Sequence, residues 1–208
     1  PSIVRPDQYV GVTTYIGNGA TSTAGTLART LTGLTFKPDL IWVKERTATG
    51  TWADHNLTDS VRGTGLALRS NTTDTETNVA TEFQQGGIGN GVNNGFTIIS
   101  GNLGGTNNVN NSGSNYVAWT WKRSIESGFD IVTHTNTSDS TVINHNLGKT
   151  PEFIVTKAFG GTQWRAHHVY GGVSQTAILS TTETFVATAE RVTAVSDTTF
   201  TYNATVSA

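Results

Sequence analysis

Apolar residues in this chain gather into short runs of strand length, and Gly, Asn, Ser and Thr fill the intervals between them. Leu40-Ile41-Trp42-Val43 and Phe153-Ile154-Val155 are nearly continuous apolar runs, the pattern of a central strand covered on both faces. Tyr116-Val117-Ala118-Trp119-Thr120-Trp121-Lys122 alternates instead, which predicts a half-buried strand with one face toward a core. Pro38 and Pro151 stand just ahead of the two apolar runs. A proline holds φ at about −65° and has no N–H to give to a ladder, so both belong at the head of a strand. The expected fold class is all-β, with little helix.

The same order of landmarks occurs twice. Leu34-Thr-Phe36-Lys-Pro38-Asp39-Leu40-Ile41-Trp42-Val43-Lys44 lies over Leu147-Gly-Lys-Thr-Pro151-Glu152-Phe153-Ile154-Val155-Thr156-Lys157, with Pro, acid and Lys in matching places. Residues 12–15 align more loosely with 131–134, 66–70 with 177–180 and 95–98 with 199–202, while Trp52 and His55 fall near Trp164 and His167. Internal duplication of one β-sandwich-like unit accounts for this order. Residues 1–124 are expected to form a complete first unit and residues 125–208 a shorter second one. The second has no counterpart of the Tyr116–Lys122 strand, which predicts an open sheet edge there. Residues 84–94 and 101–115, where Gly and Asn concentrate, are expected to be surface loops of the first unit, because so much backbone freedom is costly to order.

Composition narrows the function. Over 208 residues, a hydrophobic content of 35% is low but sufficient for a core. Charged residues make up 13%, about half of the roughly 25% usual in soluble proteins, so the surface is polar without being ionic. A formal net charge of -2 with scattered Lys and Arg offers no counterion release and argues against nucleic acid as a partner. The absence of Cys excludes disulfides, thiolate chemistry and Cys-ligated zinc. No apolar run approaches the roughly 18 residues that span a bilayer, and Pro1-Ser2-Ile3-Val4-Arg5-Pro6 lacks the basic-then-apolar order of a signal peptide. Neither membrane insertion nor secretion by that route is expected.

Residues suited to catalysis are present but not in the patterns chemistry needs. His167 and His168 are adjacent, so in a strand they point to opposite faces and cannot chelate one ion together. His145 is expected to hydrogen-bond across a turn ahead of Pro151, and His134 and His55 have no visible partners. No Gly-x-Ser-x-Gly elbow supports a nucleophilic triad. Asp54, Asp59, Asp74 and Glu76 are the carboxylates from which a glycosidase pair would be drawn, but they lie in polar stretches without a marked setting. Gly89-Asn-Gly91 and Gly104-Gly105 are followed by no Lys-Ser/Thr, so they read as loop glycines rather than a phosphate cradle. No catalytic residue, metal site or cofactor is expected. Among the aromatics, Trp42, Trp119 and Trp121 lie in strand patterns where core packing is the default, whereas Trp52 and Trp164 follow the apolar runs in polar surroundings. Exposed, Trp52 and Trp164 would make two related contact spots; a shared packing position is the plainer alternative.

The succession Tyr15-Ile-Gly-Asn-Gly19, Leu34-x-Phe36-x-Pro38-Asp-Leu-Ile-Trp42-Val-Lys44, Asp59-Ser-Val-Arg62-Gly63, Leu68-x-Ser70-Asn71, Asn94-Gly95-Phe96 and Tyr116-Val-Ala-Trp119-x-Trp121-Lys122 resembles β-rich repeat modules of tail-fibre and other appendage proteins of tailed bacteriophages, notably phages of aquatic bacteria and cyanobacteria. In the second half, Ile143-Asn-His145-Asn-Leu147-Gly148-x-x-Pro151 is similar to a His-x-Leu-Gly-x-x-Pro strand start of phage fibre domains. The resemblance implies a non-enzymatic structural protein of the virion, assembled in the host cytoplasm, homo-oligomeric with a trimer as the expected form, and touching other virion proteins and host surface glycan. A tail-fibre or receptor-binding component is the leading reading. A capsid or tail decoration or adaptor protein is the alternative, and a carbohydrate-binding module or glycan-degrading enzyme a third. The expected contact residues are Trp52, Trp164 and His167, with Asn90, Asn93, Asn107, Asn108, Asn110 and Asn111 of the two Gly/Asn-rich stretches.

Overall fold

A computed structural model describes residues 5–20, 23–46, 53–63, 65–82, 86–101, 109–135, 140–169, 175–179, 184–187 and 191–203. The chain divides into two units, Pro1–Arg123 and Ser124–Ala208, one residue before the boundary read from the sequence. The fold is all-β: beyond one 3-10 turn at Pro6–Gln8 and one helical turn, α1 (Val79–Glu82), the elements described are strands, and every strand pair is antiparallel. No described helix is long and apolar enough to cross a membrane.

The strands of the first unit are β1 (Val10–Ile16), β2 (Leu27–Thr32), β3 (Leu40–Glu45), β4 (Asn56–Asp59), β5 (Leu66–Ala67), β6 (Thr77–Asn78), β7 (Gly87–Val92), β8 (Gly95–Ile99) and β9 (Asn115–Trp121). They form a four-stranded sheet in the order β1-β9-β3-β4, a three-stranded sheet β2-β8-β7 and the small pair β5-β6. Tyr15, Ile41, Val43, Tyr116 and Ala118 from the first sheet pack with Leu31, Ile88, Phe96 and Ile98 from the second in one buried cluster, the core of a sandwich. Tyr15 stacks on Tyr116 at 5.0 Å between ring centroids. A buried hydroxyl needs a partner, and each finds one: the Tyr15 hydroxyl donates to the Val109 carbonyl at 2.7 Å, and the Tyr116 hydroxyl accepts from the Asn111 N–H at 2.9 Å. Burial pushes both phenols above their ordinary pKa.

Two sequence expectations for this unit are corrected. The stretch 84–94 is no loop where it is described: residues 87–92 are β7, which pairs with β8 around a turn at Asn93-Asn94. Its glycines serve contact. A Cβ on Gly87 would fall within the Val79 side chain, one on Gly89 against Thr97 Oγ1, and one on Gly91 on the Pro38 carbonyl. Such glycines let neighbours approach where any side chain would intrude. The second correction concerns β3, which is flanked by β9 and β4 but covered on one face only. Ile41, Val43 and Glu45 point inward and are buried, while Leu40, Trp42 and Lys44 lie on the half-exposed outer face.

The second unit contains β10 (Ser140–Asn144), β11 (Phe153–Thr156), β12 (Arg165–His168), β13 (Gln175–Ile178), β14 (Val186–Ala187), β15 (Arg191–Val195) and β16 (Thr199–Asn203). They form two sheets, β10-β16-β15 and β11-β12-β13-β14. The pairing order echoes the first unit. β10-β16-β15 matches β2-β8-β7 in order, and the interval from β10 to β11 equals that from β2 to β3. β11 pairs with β12 as β3 does with β4, and β12 is met on its far side by β13 as β4 is by the Leu57–Leu68 bridge. Among the described residues, no strand of the second unit stands where β1 and β9 stand in the first. Its core is correspondingly small, with Ile143, Val192, Phe200 and Tyr202 buried and Val132, Ile154 and Val195 packed partly against them.

Candidate functional site

The alternation along β9 places Tyr116, Ala118 and Thr120 inward and Val117, Trp119 and Trp121 outward. Small residues thus fill the inner face at the middle of the sheet, and the two indoles go out. Register then brings a third indole beside them: Trp42 of β3 lies directly across from Trp119, and Leu40 across from Trp121. On the other flank Val12 of β1 faces Trp119 and Val10 faces Trp121. The outer face of the four-stranded sheet therefore carries a row of three half-exposed indoles bordered by Val10, Val12 and Ile16, which are 39%, 62% and 60% exposed. This corrects the expectation that Trp42, Trp119 and Trp121 are core residues.

The rings interlock and do not form one flat platform. Trp42 meets Trp119 at 6.0 Å with planes 68° apart, and Trp121 at 6.4 Å with planes 38° apart. Edge-to-face geometry of this kind holds aromatic side chains in fixed orientations. The Trp42 indole N–H donates to Nδ1 of His55 at 2.8 Å, so the imidazole proton sits on Nε2. Burial, and then the charge of Lys44, lower the His55 pKa against an opposing pull from Asp54. At neutral pH the titratable group bound to this row is therefore uncharged. Lys44 itself turns its ammonium to the Glu45 carbonyl, and Lys122 lies over the Tyr9 ring. The face can cover apolar surface or the C–H faces of a sugar.

The carboxylates named from the sequence are engaged with two arginines. Arg62, whose side chain is 5% exposed, bonds Asp59 through Nε, Glu76 through Nη1 and the Leu57 carbonyl through Nη2. Asp59 Oδ1 also accepts the N–H groups of Val61 and Arg62. Arg69 donates to Asp74 at 2.6 Å, and Asp54 is held by Asn71, which in turn accepts the His55 N–H. Carboxylates so placed fix the turns after β4, and Asp59, which also lines a cleft, has both oxygens engaged. The cleft beside them, lined by Lys37, Asp39, Ser60, Asn90 and Gly91 among others, measures about 160 Å³, below the roughly 300 Å³ at which small-molecule pockets begin. Its Asp39 is taken by the Ser60 hydroxyl and the Arg123 N–H, both at 2.7 Å. Among the described residues no three His, Asp or Glu side chains converge as metal ligands would.

The contact residues expected from the sequence separate into three groups. Asn90 and Asn93 are exposed, on β7 and in the hairpin turn, with the Asn90 amide oxygen accepting from the Thr97 hydroxyl. Trp52, Asn107 and Asn108 lie outside the described residues. Trp164, His167 and Asn110 are inside the protein, at 7%, 4% and 0% exposure, so these three are corrected from surface contacts to packing residues, while Asn111 is half-buried. Each has a physical reason. Asn110 exchanges amide hydrogen bonds with Asn18 and accepts the Gly19 N–H on its carbonyl, tying residues 17–20 to the segment before β9. Asn111 gives its N–H to Tyr116. The large Trp164 indole gains more from burial than from water, and its carbonyl accepts the Leu179 N–H. His167 lies on β12 edge-on to Tyr202, with the Gln175 backbone near its ring, and neither ring nitrogen makes a well-formed hydrogen bond among the described residues. His145 spans a turn: Nδ1 accepts the Leu147 N–H and Nε2 reaches the Ser196 carbonyl, which fixes the neutral tautomer.

The Trp row was missed because an apolar run gives no sign of which sheet face will be covered; the register Trp42↔Trp119 is a long-range fact. Residues 5–208 match the family described as Domain of unknown function (DUF7483), and the chain belongs to that family. No curated protein and no solved structure matches the chain.

Proposed function

We propose that this DUF7483 chain is a non-enzymatic structural protein of a tailed-phage virion, a tail-fibre or receptor-binding component that meets the host surface, built by duplication of one β unit. The observation that carries the reading is the half-exposed row Trp42–Trp119–Trp121, set on the outer face of a sheet among exposed valines. Contact surfaces draw their strength from a few well-oriented aromatic anchors. The engagement of Asp54, Asp59, Asp74 and Glu76 with Arg62, Arg69 and Asn71 gives these acids a structural use. The repeated pairing order of the two units supports duplication.

The test is the position of the chain in the assembled particle, determined by cryo-electron microscopy. Density at a fibre tip is the expected result, and density on the capsid shell overturns the reading in favour of a decoration protein. At the residue level, Trp119→Ala in the particle is expected to lower adsorption to host cells about ten-fold or more, the loss typical of an aromatic hot spot, with the particle still assembled. Unchanged adsorption by assembled particles removes the row from host contact.

A further inference from the structure

In the first unit β4 ends one sheet of the sandwich and β7 ends the other, and the two strands meet along one side. Neither fills the space between them. β4 presents Thr58, which stands across from Ile41 of β3 on the face turned between the sheets, and β7 carries glycine at positions 89 and 91, with no side chain to offer. The result is the cleft of about 160 Å³ beside Asp59, whose lining residues are all described. It is too small for a drug-sized molecule, but it matches the engineered cavities of roughly 150 Å³ that take up one six-membered ring. At the equivalent register of the second unit Ile154 stands across from His167, so a ring replaces the small hydroxyl side chain.

The groups around the cleft are of both charges and both hydrogen-bonding senses. At its mouth, exposed Lys37 and Asn90 bring an ammonium and an amide nitrogen, and neither group makes a hydrogen bond among the described residues. Asp39 accepts the Ser60 hydroxyl on one oxygen and the Arg123 N–H on the other, and a carboxylate oxygen has room for a second bond. Asp59, by contrast, is fully engaged with Arg62 and the turn N–H groups. Deeper in lie Ile41 and Thr58, each 2% exposed, and the Thr58 hydroxyl has no hydrogen-bond partner. A buried hydroxyl in that state costs free energy until something bonds it.

We propose that this cleft binds one ring of a neutral sugar by its hydroxyl edge. Sugar hydroxyls donate to Asp39 and accept from Lys37 and Asn90, the ring carbons meet Ile41, and one hydroxyl bonds the Thr58 Oγ1 that the protein leaves without a partner. Hydroxyl groups suit this set because each both donates and accepts. An anionic ligand is repelled by Asp39 and an ammonium ligand by Lys37, so neither answers the mixed charges of the mouth. The Trp row lies on the opposite face of β3 from Ile41, which makes the two sites separate. The inference is independent of any role in a virion.

The experiment follows the backbone amide shifts of the whole chain by NMR while methyl glucoside, methyl galactoside and methyl mannoside are added one at a time, with acetate and methylammonium as charged controls. The expected result is saturable shifts at Asp39, Ser60 and residues 89–91 with at least one glycoside and with neither control. Thr58→Val tests the buried contact. It exchanges an unbonded hydroxyl for a methyl of the same shape, so the fold should keep or gain stability, while glycoside affinity falls about five-fold or more, the contribution of one hydrogen bond. Lys37→Ala, at the exposed mouth where folding is not at issue, should weaken binding as well. Four results overturn the proposal: no saturable shift with any of the three glycosides, equal shifts with a charged control, undiminished affinity in either folded variant, or shifts confined to the Trp row. The last would remove this site and leave the host-contact reading of the Trp row standing.

Discussion

β3 and β11 begin after matching prolines, run through similar apolar residues and pair with the next strand in the same direction, yet only β3 buries its inward side chains. The difference lies in the second neighbour: β3 has β9 on one edge and β4 on the other, whereas among the described residues β11 has β12 alone. Burial is thus a property of the pair of strands and not of the apolar run. The same contrast appears in the cores. One cluster is closed by two sheets and their aromatic pairs, while the other rests on Ile143, Val192, Phe200 and Tyr202 with its flank partly open. A complete unit and an incomplete one should therefore respond differently to perturbation.

The largest expected effect is on the complete unit. Arg62→Met leaves Asp59 and Glu76 without their cation at a site where both Arg62 and Asp59 are buried, and breaking a pair of this kind costs about 3–5 kcal/mol. Urea denaturation followed by hydrogen exchange should show the loss in residues 10–121 with little change beyond residue 124. An equal loss in both units would mean that they unfold as one. Gly91→Ala comes next. Its Cβ would land on the Pro38 carbonyl, a backbone atom that cannot rotate away, so overpacking should cost about 1–3 kcal/mol, whereas a flexible loop would tolerate the change.

For the incomplete unit the sharper probe is pH. Burial lowers the His167 pKa to about 4, with the Gln175 backbone pulling it up and Arg165 adding to the depression. The folded state thus resists a proton that the unfolded chain accepts below about 6.5. Stability of the second unit should fall as pH drops from about 6.5 toward 4 and level off below that. His167→Leu should flatten this slope, and an unchanged slope in the variant assigns the acid sensitivity elsewhere. The smallest effect on stability is expected from Val155→Lys. A charge on the exposed side of β11 should alter folding by no more than about 0.5 kcal/mol, as urea denaturation of the variant would check, and a larger loss would mean that Val155 is covered in solution.

Much of the strand pattern was legible in the chain because it rests on local chemistry. Pro38 and Pro151 start strands because their rings fix φ and lack an N–H, and the alternation of residues 116–122 set one face of β9 against the other. The repeated order of Pro, acid, apolar run and Lys was visible, as were the Asp59–Arg62 and Asn94–Gly95–Phe96 landmarks. The candidate site was not legible. Which side of an alternating strand meets the core depends on the sheet stacked against it, so Trp42, Trp119 and Trp121 could not be assigned outward from periodicity alone. Glycine posed the same difficulty in residues 87–91, since composition reads freedom where the fold uses the missing Cβ to admit Val79, Thr97 and Pro38. Asn110 and His167 look like surface groups in sequence because their burial is decided by residues far along the chain, Asn18 for one and Tyr202 for the other.

By itself, the sequence determined where strands begin, how their side chains alternate and that two stretches share one order of landmarks, because these follow from φ restriction and a two-residue period. Tertiary structure decided which face is wet, which polar groups are buried and which edge is left open. Those outcomes depend on register between residues as distant as Trp42 and Trp119, and on whether a strand such as β9 is there to cover its neighbour.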